Sequence, residues 1–267
     1  MIKYDQSHRA YLLDPAIGSS RAKLALDSLQ LFKDDLDGLI PHKTTKAQAF
    51  GTAAHAYFLQ PKLFCSLLDT GPINDKTGKA YGPDTQKFEA WRKDNPDKIV
   101  LDEDDRTVLR MMHSRMPPSI MELLADPDGQ SEVSVYHNDG GLLVKCRPDH
   151  LQQKIRRIND LKTIDDMADV RRAVRQWKYW FQQEWYKRVM FRATGEKYDF
   201  QFIFAEKNPP YRWKIVRTNA EVCEESAAVV AGTIIMLRSA QTTLDYSDKS
   251  DITEEITWPD CHYEEYT

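Results

Sequence analysis

The chain has 267 residues, of which 41% are apolar, 10% aromatic and 29% charged. That mixture can fill a substantial core and excludes global disorder. Its 37 Lys and Arg stand against 41 Asp and Glu, and the formal net charge of −4 argues, taken as a whole-chain sum, against a nucleic-acid partner.

No apolar run approaches the roughly 18 to 20 residues that a membrane span needs. The opening Met1-Ile2-Lys3-Tyr4-Asp5-Gln6 has no apolar stretch of the signal-peptide kind, so no membrane association and a cytoplasmic location are expected. Cys65, Cys146, Cys223 and Cys261 are far apart and form no C-x-x-C pair, so reduced thiols are expected rather than a disulfide framework or a zinc site.

In chain order, residues 1–125 read as mainly helical. Ser20 is a candidate cap for a helix carrying Leu24, Leu26, Leu29, Leu31 and Phe32. Thr45 is a candidate cap for a second, through Phe50, His55 and Leu59, that stops at Pro61. Residues 69–84, with Gly71-Pro72, Gly78 and Gly82-Pro83, read as a long loop. A helix from about Asp102 to Ala125 must break or kink at Pro117-Pro118. Past Gln130 the period changes to that of strands. Residues 131–137 alternate, Asn138-Asp139-Gly140-Gly141 supplies a hairpin turn, and residues 142–151 and 154–163 follow as further strands. Residues 167–194 read as one long helix ended by Gly195. A second hairpin over 198–205 and 211–218 turns at Asn208-Pro209-Pro210, and Asn219 would cap a last helix reaching about Leu244. The order is that of an α/β core behind a helical N-terminal part. We read 1–267 as a single domain, with 1–125 carrying His55, 130–245 the core and 246–267 an acidic tail.

The chemistry concentrates on few positions. In Asn159-Asp160-Leu161-Lys162-Thr163, strand alternation puts Asp160 and Lys162 on one face and Leu161 on the other. Alone, such a pair is a solvated ion pair. The preceding strand ends in Lys145-Cys146-Arg147-Pro148-Asp149, so Asp149 and Asp160 can sit side by side on paired strands. Neighbouring carboxylates repel unless a cation neutralises them, and hard oxygen donors suit Mg²⁺ or Mn²⁺. Pro148 cannot donate to a ladder, which marks an edge or a bulge there. Glu132 is either a third carboxylate of the site or an exposed strand residue. Gln182 and Tyr186 share a helical face. They either touch a nucleic-acid backbone or form a buried Tyr with a polar neighbour. His55, four residues after Gly51 among small residues, is either a packed core histidine or a ligand.

The series Gly51-x-x-x-His55, Glu132, Arg147-x-Asp149, Asp160-x-Lys162, Gln182-x-x-x-Tyr186 resembles the signature of the RecB and lambda-exonuclease branch of the PD-(D/E)XK nucleases. The wording around it (Ala54-His55-Ala56-Tyr57-Phe58-Leu59, Asp160-Leu161-Lys162-Thr163 and Gln182-Gln183-Glu184-Trp185-Tyr186) is similar to the C-terminal nuclease domains of the exonuclease VIII (RecE) family, over about residues 15 to 245. The resemblance implies a restriction-endonuclease-like core, a central mixed β-sheet flanked by helices. It implies an enzyme that degrades one strand of linear double-stranded DNA from its 5′ end and leaves 3′ overhangs for strand annealing. On it, Asp149, Asp160, His55 and the Leu161 carbonyl would hold Mg²⁺, with Mn²⁺ able to substitute. Glu132 would hold a metal-bound water or a second ion. Lys162 would orient or deprotonate the attacking water or stabilise transition-state charge, and Gln182 and Tyr186 would position the scissile backbone. It further implies a ring-shaped homo-oligomer (a tetramer, or a trimer), a RecT-like single-strand annealing partner, and a bacterial or prophage origin. A structure-specific or restriction-type endonuclease and a non-catalytic DNA-binding scaffold are the competing readings; intact Asp149, Asp160 and Lys162 argue against the scaffold.

The net charge conceals a divided chain. Residues 143–192 hold thirteen basic side chains against six acidic, and from Asp245 onward eight acids face one base. Such a basic segment around candidate metal-binding acids suits backbone phosphates. Within it Arg147, Arg175 and Lys178 are candidate DNA contacts.

Overall fold

The computed structural model describes residues 1–41 and 45–248. Its centre is a five-stranded mixed sheet in the order Trp213–Val216, Asp199–Glu206, Arg157–Ile164, His150–Gln152, Gly129–Ser131. Arg157–Ile164 and Asp199–Glu206 run parallel, with Asp160 opposite Phe202, and the other pairs are antiparallel. A smaller sheet joins Ile2–Lys3, Ser134–Asp139 and Leu142–Cys146.

Alternation along the strands feeds two cores. Ile158, Ile164, Phe200, Phe202 and Phe204 pack with Phe181, Trp185, Val189 and Met190 of helix Tyr179–Thr194 and with Val230, Ile234 and Leu237 of helix Ala220–Thr243. Leu161, Ile203 and Ala205, on the other face, pack with Phe50, Ala53, Ala54 and Leu59 of helix Lys46–Leu59 and with Leu109 and Met112 of helix Glu103–Ser114. Small residues let the Lys46–Leu59 helix lie close to the sheet, and Ala53 and Ala54 are fully buried.

Several expected boundaries hold. Thr45 closes a capping box with Gln48, Asn219 caps the last helix, and Gly195 ends the long helix at φ +77°. The Pro117-Pro118 break separates Glu103–Ser114 from Pro118–Leu124. Residues 70–84 form the expected loop, bridged once between Ile73 and Ala80.

Others are corrected. The first helical segment is split into Ser19–Ala22, a 3₁₀ turn Lys23–Leu26 and Leu29–Leu36, and Ser28 rather than Ser20 supplies the side-chain cap, to Leu31 N–H. The reading of 167–194 as one helix fails at Trp177-Lys178. Helix Val170–Gln176 ends there, and Lys178 takes the left-handed conformation at φ +49° before the next helix starts. The strand expected over 142–151 is interrupted at residues 147–149, and the one over 131–137 at residues 132–133. Each strand of that hairpin thereby serves both sheets. Pro148 at the interruption is where a ladder donor is missing anyway. Most of the acidic tail, with Cys261, lies outside the described residues. Cys65, Cys146 and Cys223 are free thiols. Among the described residues no helix is long and apolar enough to cross a membrane.

Gly51 sits mid-helix with only Thr163 Oγ1, at 3.9 Å, near the place a Cβ would take. Gly51→Ala should therefore raise stability by about 0.5–1 kcal/mol, read as a higher urea midpoint at unchanged slope.

Candidate active site

The paired strand interruptions create the site. Where the hairpin leaves one sheet for the other, Glu132 N–H donates to the Asp149 carbonyl at 3.0 Å, so the two acids face each other across the break. Glu132 adopts φ +58°, a left-handed conformation unusual for a residue with a Cβ. Backbone strain of this kind is tolerated where surrounding bonds fix it, and here they do. Arg147 Nε donates to Glu132 Oε2 at 2.6 Å, its Nη1 to Ser134 Oγ at 2.8 Å and its Nη2 to the Gln6 carbonyl at 3.0 Å.

The central strand contributes through its backbone as well as its side chains. Leu161 N–H donates to Asp149 Oδ2 at 2.7 Å, and the Leu161 carbonyl lies 2.8 Å from His55 Nε2. A carbonyl only accepts, so that ring nitrogen carries the proton. His55 Nδ1 then points at the acids, 3.5 Å from Asp149 Oδ1 and 3.8 Å from Glu132 Oε1. Ligand atoms of His55, Glu132 and Asp149 all lie within 4.8 Å of one another.

On the face opposite the Leu161 side chain, as alternation predicts, Asp160 and Lys162 form an ion pair, with Asp160 fully buried. Gln182 Nε2 donates to Asp160 Oδ2 at 2.8 Å. The Lys162 ammonium lies over the Tyr179 ring, 5.1 Å from its centroid.

Residues 18–256 match a family described as a PDDEXK-like domain of unknown function, DUF3799. The chain belongs to this family. A crystal structure from Eubacterium rectale, named "putative exonuclease", superposes with a TM-score of 0.64 at 16% identity over 96% of each chain. That likeness is one of fold. A second structure, of SSO0001, aligns over 80% of this chain and 85% of that one at 9% identity, with a TM-score of only 0.31. No functionally curated protein matches the sequence. The mixed sheet with helices on both faces is the fold expected of a PDDEXK-like domain.

The electrostatics of this PDDEXK-like site suit a cation. Burial, and then the Asp160 carboxylate, push the Asp149 carboxyl up to about 7. Burial opposes protonation of His55, but Asp149 and Glu132 outweigh it and raise the imidazole to about 9. Burial would also raise Glu132, yet the His55 hydrogen bond and the Arg147 guanidinium bring it below the usual carboxylate range. The cluster thus takes up a proton between His55 and Asp149 in the place a divalent ion would neutralise. One imidazole nitrogen and two carboxylates are a donor set that fits such an ion, and the Leu161 carbonyl fixes the tautomer that frees Nδ1.

The structure sorts the expected site residues differently from the sequence. His55 and Asp149 come together as expected, but Glu132 joins them, while Asp160 is held by Lys162 and Gln182. The Leu161 carbonyl is engaged by His55 instead of standing free as a ligand. Arg147, 7% exposed with its donors spent inside the protein, is not a DNA contact but the residue that orients Glu132. Gln182 and Tyr186 are also buried, so Gln182 positions Asp160, and Tyr186 packs edge-on to Phe200. Arg175 is exposed, whereas Lys178 is tied to Asp27.

The basic segment is likewise less free than its count. Among the described residues, eight of its thirteen cations pair with carboxylates: Arg147, Lys154, Arg156, Lys162, Arg172, Lys178, Lys187 and Arg188. Arg171, Arg172 and Arg175 line a surface cavity on one short helix. Sequence reasoning missed Lys23 and Tyr179, which stand beside Lys162. Tyr179, three residues before Gln182 on the same helical face, carried a signal; Lys23 carried none.

Arg147→Ala should cost about 3–5 kcal/mol in chemical denaturation, because Glu132 stays largely buried without its cation. Unchanged stability with weakened DNA binding would instead return Arg147 to the DNA surface. For Asp149 the folded pKa lies above the unfolded one, so ionisation penalises the native state as pH rises from about 4 through about 7. In chelator, Asp149→Asn should accordingly melt higher than the parent chain at pH 8 and lose that advantage near pH 4. Added Mn²⁺ should raise the melting temperature of the parent only.

Proposed function

We propose that the chain is a divalent-metal-dependent exodeoxyribonuclease that degrades one strand of linear duplex DNA from its 5′ end. The observation that carries this reading is the convergence of His55, Glu132 and Asp149 at the central strand, with the Lys162–Asp160 pair close enough to act on Asp149 electrostatically. Membership of a PDDEXK-like family supports phosphodiester hydrolysis as the reaction class, and the name of the Eubacterium rectale structure is consistent with exonucleolytic attack.

His55, Glu132 and Asp149 would hold the ion. When bound, it would act as a Lewis acid on the scissile phosphate and supply the nucleophile at neutral pH. The protein side of the chemistry is electrostatic. Burial works against the Lys162 ammonium, but Asp160 and Asp149 outweigh it and hold its pKa above the usual lysine value. Lys162 therefore stays protonated, which fits charge stabilisation on the phosphorane-like transition state and not proton abstraction from water. Asp160 aims the ammonium, and Gln182 fixes Asp160. Arg147 holds Glu132 at the angle its strained backbone sets. Exposed Arg175 is left as a contact to the DNA backbone.

The finer features rest on the resemblance to the exonuclease VIII (RecE) family: 5′→3′ polarity, 3′ overhangs for recombination, a homo-oligomeric ring and a RecT-like annealing partner. So do a bacterial or prophage origin and Mg²⁺ as the working ion. An imidazole among the ligands accommodates Mn²⁺ equally well.

The test compares linear with covalently closed plasmid in Mg²⁺ and in Mn²⁺, using 5′-labelled and 3′-labelled ends. Early release of 5′ label from linear duplex alone is the expected result, and cutting of closed circles would replace the exonuclease with an endonuclease. Lys162→Ala and Asp149→Asn should each lower the single-turnover rate by at least about 100-fold, with duplex affinity in Ca²⁺ kept. Retained cleavage in Lys162→Ala would remove that residue from the chemistry. Binding without cleavage by the parent chain in both metals would favour the scaffold.

A further inference from the structure

Lys23 is a cation with no ion-pair partner among the described residues at the edge of the candidate active site, and Asp160, whose field reaches it, is already paired with Lys162. It opens the 3₁₀ turn Lys23–Leu26, and its ammonium lies over the Tyr179 ring, 5.5 Å from the centroid. Lys162 lies over the same ring at 5.1 Å. The neighbouring cations are neutralised, Lys162 by Asp160 and Lys178 by Asp27. Among the described residues no carboxylate forms an ion pair with Lys23, and its hydrogen bond goes to the Trp177 carbonyl at 2.9 Å.

We propose that Lys23 anchors a phosphate subsite beside the scissile position, taking a phosphate of the strand being cut. The inference rests on the nuclease reading above. A half-buried ammonium beside a second lysine is unfavourable unless an anion completes it. Burial first, and then Lys162 and Lys178 against the opposing pull of Asp160, draw its pKa down to about 7, the strain an approaching anion would relieve. An ammonium has three donors; one is spent on Trp177, and two remain for phosphate oxygens. The Trp177 carbonyl also fixes where Lys23 points. The left-handed Lys178 that breaks the helix there turns Trp177 outward, 57% exposed, beside exposed Arg175. Lys23 is thus bonded to the exposed helix end that carries Arg175, and its charge comes from an element about 140 residues before Lys162 in the chain.

A purely structural Lys23 would do no more than satisfy the Trp177 carbonyl at a helix end. Lys23→Gln keeps a donor for that carbonyl and removes the charge, and Lys23→Arg keeps both. Affinity for a fluorescein-labelled blunt duplex is measured in Ca²⁺ over a series of salt concentrations, beside single-turnover cleavage in Mg²⁺. We expect Lys23→Gln to bind about tenfold more weakly at low salt, with the slope of log affinity on log salt reduced by about 0.9, one phosphate contact. Lys23→Arg should restore both. Comparing 5′-phosphate with 5′-hydroxyl duplexes separates the sources. A defect confined to the phosphorylated end assigns a terminal monoester, and one seen with both assigns an internal diester. Lys23→Gln that binds and cleaves like the parent at every salt concentration overturns the subsite. A parent chain that neither binds nor cuts duplex overturns the nuclease reading instead. Should Lys23→Gln melt markedly lower, acetylation of the parent chain read by mass spectrometry decides. Protection of the Lys23 amine by duplex supports the subsite, and equal labelling with and without duplex rejects it.

Discussion

One buried guanidinium holds the acidic side of the site in shape. Arg147 joins the N-terminal stretch, through the Gln6 carbonyl, to the 132–134 segment, through Ser134 and through Glu132 in its left-handed conformation. The five donors of an arginine in a fixed fork suit such a junction, where a lysine would satisfy only part of it. Its position follows from the interrupted hairpin. Residues 147–149 leave the ladder, so Arg147 turns into the gap between the two sheets while Asp149 turns toward Leu161. An acid whose partner is removed in such a place remains buried and charged, which is why the geometry of Glu132 and the stability of this region are one question.

The central strand shows how one segment can serve two layers. Asp160 and Lys162 use their side chains on the face of helix Tyr179–Thr194. Leu161 sends its side chain into the other core, and its peptide groups face the metal-ligand candidates. Because Leu161 N–H and carbonyl bond Asp149 and His55, the cluster is registered to the strand by backbone and not by side-chain packing. The side chain at 161 then needs only to fill its core position.

Much of this was legible in the sequence because it rests on local rules. The Asp160-x-Lys162 alternation, the Thr45 and Asn219 caps, the Pro117-Pro118 break, the Gly195 terminus and the Asn138–Gly141 turn each follow from a few adjacent residues. His55 and Asp149 could be paired because the motif series orders them. What stayed hidden depends on distant partners. Ile2–Lys3 pairs with Val135 and Ser134, yet a two-residue strand has no periodicity to read. The helix over 167–194 has an unbroken helical composition. Its break at Lys178 coincides with tertiary bonds from Asp27 to the Lys178 side chain and from Lys23 to the Trp177 carbonyl. Arg147 was read as a DNA contact because charge in a basic segment looks solvent-facing until its three acceptors are located.

The same lesson applies to the charge pattern that makes nucleic acid plausible. A linear count of thirteen bases against six acids suggests a uniformly positive face, but among the described residues folding pairs eight of those cations with carboxylates, five of them from other segments. Among the described cations without a carboxylate partner are exposed Arg171 and Arg175 of the Val170–Gln176 helix, and Lys23, which the count omits altogether. Repulsion between phosphates and the acids of the site must be overcome at one place, where the ion and Lys162 act, and attraction elsewhere need only orient the strand. A few uncompensated cations arranged around that place would do this with less non-specific adhesion than an extended basic surface. The modest net charge of the whole chain is then compatible with a DNA-processing site, since the field that matters is set by which cations folding leaves without partners.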